Sequence, residues 1–289
     1  MALRGDDEVG RADDDVLEAS EYYRLAEDAD RSRWRLSDVP WDSFDAARAT
    51  PDLVGFVQRI TFSELTTFSA TRKFMHEFGD DVDFSQWLSV WFFEETRHPH
   101  VLLRWLQRAG HREPSSFIAK GRVTAPFMKS RTGTLVTNVI SEMVATAWYV
   151  HLSRNSLEPT LAWIARMIAS DEARHANGFF HYAQRAIASS ADPDGDRRTA
   201  LKVLQLWLEN REQVGHPVNL LYRRYESDSR GGGEPTPVGT IDYEKLNVRV
   251  CRTIGALAEV DIRDSSDVMA ALRRGQAARS DPPGDSTTR

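Results

Sequence analysis

Two five-residue segments of the chain carry one pattern: Glu94-Glu95-Thr96-Arg97-His98 and Asp171-Glu172-Ala173-Arg174-His175. In each, a glutamate and a histidine stand three residues apart, with an acid before the glutamate and an arginine before the histidine. On a helix this spacing puts carboxylate and imidazole on one face, about one turn apart. With 18 glutamates and 8 histidines in 289 residues, roughly 0.5 Glu-x-x-His pairs are expected by chance. One copy would mean little, whereas two copies with matching flanks are hard to dismiss. Their setting constrains the fold further. Phe84, Trp87, Leu88, Val90, Trp91, Phe92 and Phe93 lead into the first copy, and Val101, Leu102, Leu103, Trp105 and Leu106 follow it. A helix apolar on nearly every side is buried, and buried ionisable groups need partners or a metal. Two solvated helix faces with accidental ion pairs would leave that apolar setting unexplained.

Bundles of four helices that hold two iron or manganese ions take a Glu-x-x-His pair from each of two helices and a single glutamate from each of the others. Two isolated glutamates meet that requirement here. Thr50-Pro51 predicts a helix start, and the helix is expected to run to about Phe78, before Gly79-Asp80-Asp81. Glu64 lies at its middle as the only carboxylate between Phe56 and Phe74. A second helix is expected from Phe84 to Ala109, stopped by Gly110, with a kink where Pro99 deprives the Glu95 carbonyl of its amide partner. The stretch from Gly110 to Arg131, with Pro114, Gly121 and Pro126, is long enough to cross from one end of a bundle towards the other. A third helix, about Thr134 to Ser153, carries Glu142 as the only carboxylate between Glu113 and Glu158. The fourth, entered at Glu158-Pro159 and running to about Ala188, holds the second Glu-x-x-His. All four ligand positions are thus expected mid-helix, at similar depth.

Four carboxylates and two imidazoles suit iron or manganese, and the carboxylate charges offset two divalent ions. We expect Glu64 and His98 on one metal, Glu142 and His175 on the other, and Glu95 and Glu172 as bridges. Glu94 and Asp171 lie about 100° around their helices from those bridges and are expected to accept hydrogen bonds behind the ligands or to pair with Arg97 and Arg174. Helical spacing puts Thr67, Thr71, Trp91, Asn138, Thr146 and Phe179 near the ligand faces, as candidates to line a substrate cavity.

The rest of the chain fits one all-α domain, residues 16–279, with its core bundle over about 51–190. An acidic tail, residues 1–15, precedes it and a Pro/Gly/Ser/Thr-rich tail, residues 280–289, follows; both are expected to be disordered. A short helix is expected over Asp14 to Arg31, then an irregular strap held by Trp34, Pro40, Trp41 and Phe44. Further helices are expected over Arg197 to Gln213, Val218 to Glu226, Ile241 to Val260 and Ser266 to Arg279, with a flexible loop at Ser227 to Gly239. A net charge of −6 argues against general nucleic-acid binding. No apolar run reaches transmembrane length, and the first residues lack the apolar core of a signal peptide. The single Cys251 excludes an intrachain disulfide and suits a reducing compartment. A soluble cytoplasmic protein is therefore expected, with no membrane partner.

At the two repeated signatures, with Glu64 and Glu142 in the matching helices, the chain resembles the soluble acyl-carrier-protein desaturases of the ferritin-like superfamily. The likeness extends from about Trp34 to Gln184 and includes the strap Arg33-Trp34-Arg35-Leu36-Ser37-Asp38-Val39-Pro40. It implies a ferritin-like four-helix bundle with additional N- and C-terminal helices, two iron ions with manganese possible in either place, and dioxygen as co-substrate. It also implies a homodimer that desaturates an acyl chain on acyl carrier protein or coenzyme A with electrons from a ferredoxin-type donor, along a path through Trp34, Asp171 and His98. The family's threonine one turn after the third-helix glutamate is Ala145 here, which leaves the adjacent Thr146 as the candidate catalytic residue. Related oxygenases that hydroxylate or N-oxygenate, acting in a tailoring pathway, would use the same ligands. The arylamine N-oxygenases add a histidine at a position held here by Ile168. Ribonucleotide reductase small subunits begin their ligand set with aspartate and need a tyrosine near the metals; Glu64, and a Tyr149 expected to lie far from the site, count against them. A ferritin-like metal store without enzymatic activity is the remaining alternative.

Overall fold

The computed structural model describes residues 20–122, 128–209, 237–239 and 241–280, with side chains as far as residue 274. Its helices are α1 (Glu21–Ser32), α2 (Pro51–Glu64), α3 (Thr67–Glu77), α4 (Val82–Arg108), α5 (Ser115–Gly121), α6 (Arg131–Asn155), α7 (Pro159–Ala188), α8 (Pro193–Glu209), α9 (Tyr243–Leu257) and α10 (Ser265–Ser280). No strand occurs among the described residues. The expected tails, the Val218 to Glu226 helix, most of the Ser227 to Gly239 loop and the start of the first helix lie outside the described residues. None of the described helices is long and apolar enough to cross a membrane.

The helix starts follow local chemistry. Thr50 caps α2 through Leu53 N (3.3 Å) ahead of Pro51, Asp81 caps α4 through Phe84 N (3.0 Å), and Ser130 caps α6 through Gly133 N (3.0 Å). Glu158 caps α7 by accepting from Thr160 N (3.2 Å) and Leu161 N (2.7 Å). The same carboxylate, fully buried, also accepts from Asp45 N (3.0 Å) and Trp105 Nε1 (2.6 Å), tying the strap, α4 and α7 together. Gly110, at φ 81°, takes the left-handed conformation that ends α4.

Helices α6 and α7, joined by three residues, form the most extensive pairing. The α2–α3 rod packs on α4, and α4 packs on α7, which closes a four-rod bundle; α1 lies across α4 and α7, while α8 and α9 cover α6 and α7 and α10 packs on α8. At the α4–α7 contact, Gly178 is required: a Cβ there would lie 2.3 Å from the Trp87 ring. The strap is held by aromatics as expected, with Trp34 buried edge-on to Trp163 and Trp41 under Arg104 and Arg108.

Two expectations about the rods need correction or qualification. The predicted continuous helix from Pro51 to Phe78 is divided at Leu65–Thr66, so Glu64 is the last residue of α2 and not mid-helix. Thr66 turns both its amide (3.1 Å) and its hydroxyl (2.8 Å) back to the Ser63 carbonyl, replacing the longer helical bond with a tighter turn. Gly121 of α5 packs against Leu65 at this break, where a Cβ would lie 2.7 Å from the leucine side chain. At Pro99, in contrast, α4 continues as one 27-residue helix.

Candidate metal centre

The six sequence-predicted ligands converge from the four rods. Ligand atoms of Glu95, Glu142, Glu172 and His175 lie within 4.8 Å of one another, as do those of Glu64, His98 and Glu172. Glu172 belongs to both groups, as a bridging residue must. Glu95 Oε1 lies 2.9 Å from His175 Nδ1 and its Oε2 3.9 Å from His98 Nδ1, so it stands between the imidazoles but nearer His175. Thr67 Oγ1 donates to that Oε2 at 3.0 Å.

The two histidines are wired crosswise. His98 of α4 directs Nε2 to Asp171 of α7 (3.1 Å), and His175 of α7 directs Nε2 to Glu94 of α4 (3.1 Å). A carboxylate behind each Nε2 fixes the tautomer with its proton there, leaving Nδ1 as a lone-pair donor aimed into the cluster. The His98 Nδ1 is buried and makes no hydrogen bond, with Glu64 Oε2 at 3.4 Å and Glu172 Oε1 at 3.5 Å around it. An orphaned imidazole nitrogen among carboxylate oxygens is a donor set suited to a divalent transition ion.

Behind this cluster, Asp171 also accepts from Trp34 Nε1 (2.8 Å), Arg97 Nη2 (3.2 Å) and Arg174. Arg97 bonds the Trp34 carbonyl (2.7 Å), and its guanidinium lies over the Trp34 ring at 4.5 Å. Glu94 is met by Arg174 (3.1 Å) and Arg33 (3.4 Å). Trp34, Asp171 and His98 therefore form a continuous hydrogen-bonded row, and Arg97 and Arg174 sit on the acids with which they were expected to pair.

The electrostatics divide along the same line. Burial alone would raise the Asp171 carboxyl, but its hydrogen bond with His98 and the surrounding positive charges hold it below the usual range. Glu94 is likewise lowered, burial being outweighed by His175 and Arg174. At Glu142 and Glu172 the balance reverses. Burial and the charge of Glu95 push Glu142 up to about 7 and Glu172 well above its ordinary value. Burial disfavours a charged His175, yet its bonds to Glu94 and Glu95 raise it to about 10, and His98 is raised for similar reasons by Asp171 and Glu64. Glu142, Glu172 and the two histidines attract protons because negative charge is concentrated around them.

A cleft opens from these carboxylates, with about 480 Å³ of space including the solvent at its mouth. Thr67, Trp91 and Asn138 line it as expected, together with Ser63, Thr66, Ala70, Ser141 and Ala145, which helical spacing did not select. The structure does not bring Thr71, Thr146 or Phe179 to this wall. Thr146 turns its hydroxyl to the Glu142 carbonyl (2.7 Å), Thr71 bonds the Thr67 carbonyl (2.9 Å), and Phe179 packs among Phe74, Trp87 and Trp91. Ser63 and Thr66 were hidden by the undivided helix expected at Glu64.

Tyr149 also departs from expectation. Its phenol donates a short hydrogen bond to Glu64 Oε1, so it is not remote from the cluster. Seven residues after Glu142 are two helical turns, which return Tyr149 to the same face of α6, and Glu64 at the end of α2 meets it there.

No family model matches the chain, and neither does any curated protein. Among solved structures, an R2-like ligand-binding oxidase with aerobically reconstituted Mn/Fe cofactor aligns with a TM-score of 0.56 at 16% identity, over 92% of this chain and 100% of the other. A glycine-to-leucine mutant of such an oxidase with aerobically reconstituted Fe/Fe cofactor aligns with a TM-score of 0.53 at 17% identity, over 83% and 93%. The fold is ferritin-like. At this level of identity the likeness concerns the fold, and the chemistry rests on the side chains.

Proposed function

We propose that the protein is a dioxygen-dependent oxidase whose site holds two transition ions, iron in both places or manganese with iron, between Glu64, Glu95, His98, Glu142, Glu172 and His175. The observation that carries this is the pair of buried ligand groups sharing Glu172, each with an imidazole Nδ1 facing inward and a carboxylate behind its Nε2. The Fe/Fe and Mn/Fe cofactors of the structural neighbours support the choice of ions. When bound, such a pair supplies the electrons that reduce dioxygen and the oxidising power that removes hydrogen from a substrate.

The chain's own residues set up that chemistry. Asp171 and Glu94 keep the Nε2 protons in place and so present the Nδ1 lone pairs. Tyr149 holds Glu64 Oε1 and leaves Oε2 turned towards His98, while Thr67 holds Glu95 Oε2 and leaves Oε1 turned towards His175. The row Trp34, Asp171, His98 links the strap beneath the surface to the cluster and is our proposed entry for electrons. Acid residues and hydrocarbon around the six ligands exclude bulk water from all but the cavity side.

The signatures favour desaturation of an acyl chain on a carrier protein or coenzyme A by a homodimer served by a ferredoxin-type donor. In that reaction the substrate loses two hydrogens, dioxygen becomes two waters, and the donor provides two electrons and two protons come from solvent. The cavity wall favours a second reading. Ser63, Thr66, Thr67, Asn138 and Ser141 make it more polar than an alkyl chain would require, which suits oxygenation of a compact polar substrate: one oxygen atom enters the substrate and the other becomes water, again with two electrons and two protons. Iron(II)-loaded protein exposed to dioxygen and reductant, with acyl-carrier and small polar substrates, separates these by mass spectrometry: loss of two hydrogens marks desaturation, gain of one oxygen marks oxygenation. Failure to bind two metal ions would refute both.

A further inference from the structure

The hydrogen-bonding state of the cavity wall carries information about what enters it. Thr66 has committed its hydroxyl proton to the Ser63 carbonyl, and Thr67 has committed its own to Glu95. Both hydroxyls can therefore only accept from a ligand. Asn138 directs Nδ2 to the Thr134 carbonyl (2.8 Å), which leaves its oxygen as the acceptor of the amide. Glu64, Glu95, Glu142 and Glu172 form the floor, and no lysine or arginine lines the cavity among the described residues. The second amide proton of Asn138 and the buried, unpaired indole of Trp91 are N–H donors on the wall, and the Ser63 and Ser141 hydroxyls can donate or accept, but none of these groups carries charge for an anion. Ala70, Ala145 and the Trp91 ring supply a short apolar side.

We propose that this cavity binds a compact substrate carrying a protonated amine, whose N–H groups are received by Thr66, Thr67 and Asn138 while its first few carbons lie on Trp91 and the two alanines. The proposal deepens the oxygenation reading of the same site and rests on it for the identity of the ligand as substrate. A carboxylate or phosphate head would find Thr66 and Thr67 unable to donate and no cationic side chain on the wall, and a plain alkyl chain would cover those acceptors without replacing the water they lose. An ammonium group satisfies them and carries charge-assisted bonds.

The test uses the full chain, metal-free and manganese(II)-loaded, titrated by calorimetry with hexylammonium, 1-hexanol and hexanoate. Hexylammonium is expected to bind tightest to the metal-free chain, where no metal ion is present to bind hexanoate, and Thr66→Val and Asn138→Leu are each expected to weaken it about tenfold in both forms with little change for 1-hexanol. Thermal unfolding checks that both variants remain folded, and Thr66→Ser, which keeps the acceptor, is expected to restore wild-type affinity. Hexanoate or 1-hexanol binding the metal-free chain as tightly as hexylammonium, or both variants leaving its affinity unchanged, would overturn the proposal. Absence of manganese binding with hexylammonium recognition intact would instead refute the metal centre, so the two failures are distinguishable.

Discussion

Replacing Asp171 with Asn tests the crossed wiring of the histidines. Asp171 stands on α7 beside Glu172, yet its Oδ2 is hydrogen-bonded to His98 of α4 (3.1 Å), which lies with Glu64. The amide variant keeps one oxygen for His98 and Trp34 but loses the negative charge behind the imidazole, and its NH2 group confronts Arg174. Loss of such a supporting carboxylate typically weakens metal binding 10- to 100-fold, or about 1.4–2.7 kcal/mol. The loss should fall on the ion held by His98 and Glu64, across the bundle from the substituted helix. Glu94→Gln should do the reverse, weakening the ion held by His175 and Glu142. Cobalt(II) titration followed by optical spectroscopy and calorimetry can separate the two ions when each substitution is combined with His98→Ala or His175→Ala. In the His175→Ala background, where the His98 ion remains, Asp171→Asn should show its full effect; in the His98→Ala background it should do little. Equal losses in both backgrounds, or a larger loss in the His98→Ala background, would refute the assignment of carboxylates to histidines.

Three further outcomes follow from the same geometry. Tyr149→Phe frees one oxygen of Glu64 and should weaken the His98 ion about tenfold in the same titration, whereas Thr146→Ala, whose hydroxyl only bonds the Glu142 carbonyl, should change neither ion. Because Glu142 is raised to about 7, its protonated form is favoured by folding; that stabilisation is complete below its free value near pH 4.5 and is lost as pH rises through about 7. Manganese(II) must displace this proton, so the gain in Tm on adding it should be larger at about pH 8 than at about pH 6, and an equal or smaller gain at the higher pH would contradict the shift. Glu158→Gln retains one acceptor but places an NH2 group against donors now satisfied by Thr160, Leu161, Asp45 and Trp105 interactions; urea unfolding should show a loss of about 2–4 kcal/mol, and a loss below about 1 would mean the carboxylate is not the anchor it resembles.

The bundle was legible because its signals are local. Glu-x-x-His at helical spacing, a proline behind a threonine at the start of α2, and lone acids in otherwise uncharged helices each depend on a few neighbouring residues, and the four rods follow from them. The break at Leu65–Thr66 was not legible, since no glycine or proline marks it. It depends on Thr66 turning back to Ser63 and on Gly121, more than fifty residues away, fitting against Leu65. That one miss moved Glu64 to a helix end and concealed two residues of the cavity wall. Tyr149 was missed for a different reason: distance was judged from α6 alone, whereas its partner Glu64 comes from another rod. Thr146 shows the opposite error, since adjacency to Ala145 in sequence is a step of about 100° around the helix, enough to leave its hydroxyl on its own backbone.

The placement of the arginines gives the cluster its electrical logic. Glu94 and Asp171, on the outer side, face Arg33, Arg97 and Arg174, and both are held ionised by these contacts and by the histidines. Among the described residues no guanidinium pairs with the four inner carboxylates, which face one another across the bundle. Counting all six acids against three arginines leaves three negative charges, and the imbalance lies on the inside, where Glu142 and Glu172 are driven towards protonation. Two divalent ions would carry four positive charges to that place and bring the whole assembly within one charge of neutrality. A buried cluster built for structure alone would gain by distributing its arginines evenly, because unpaired buried charge is costly. Here they are confined to the side that orients the imidazoles, so the inner acids are left to be balanced by cations that the chain itself does not supply.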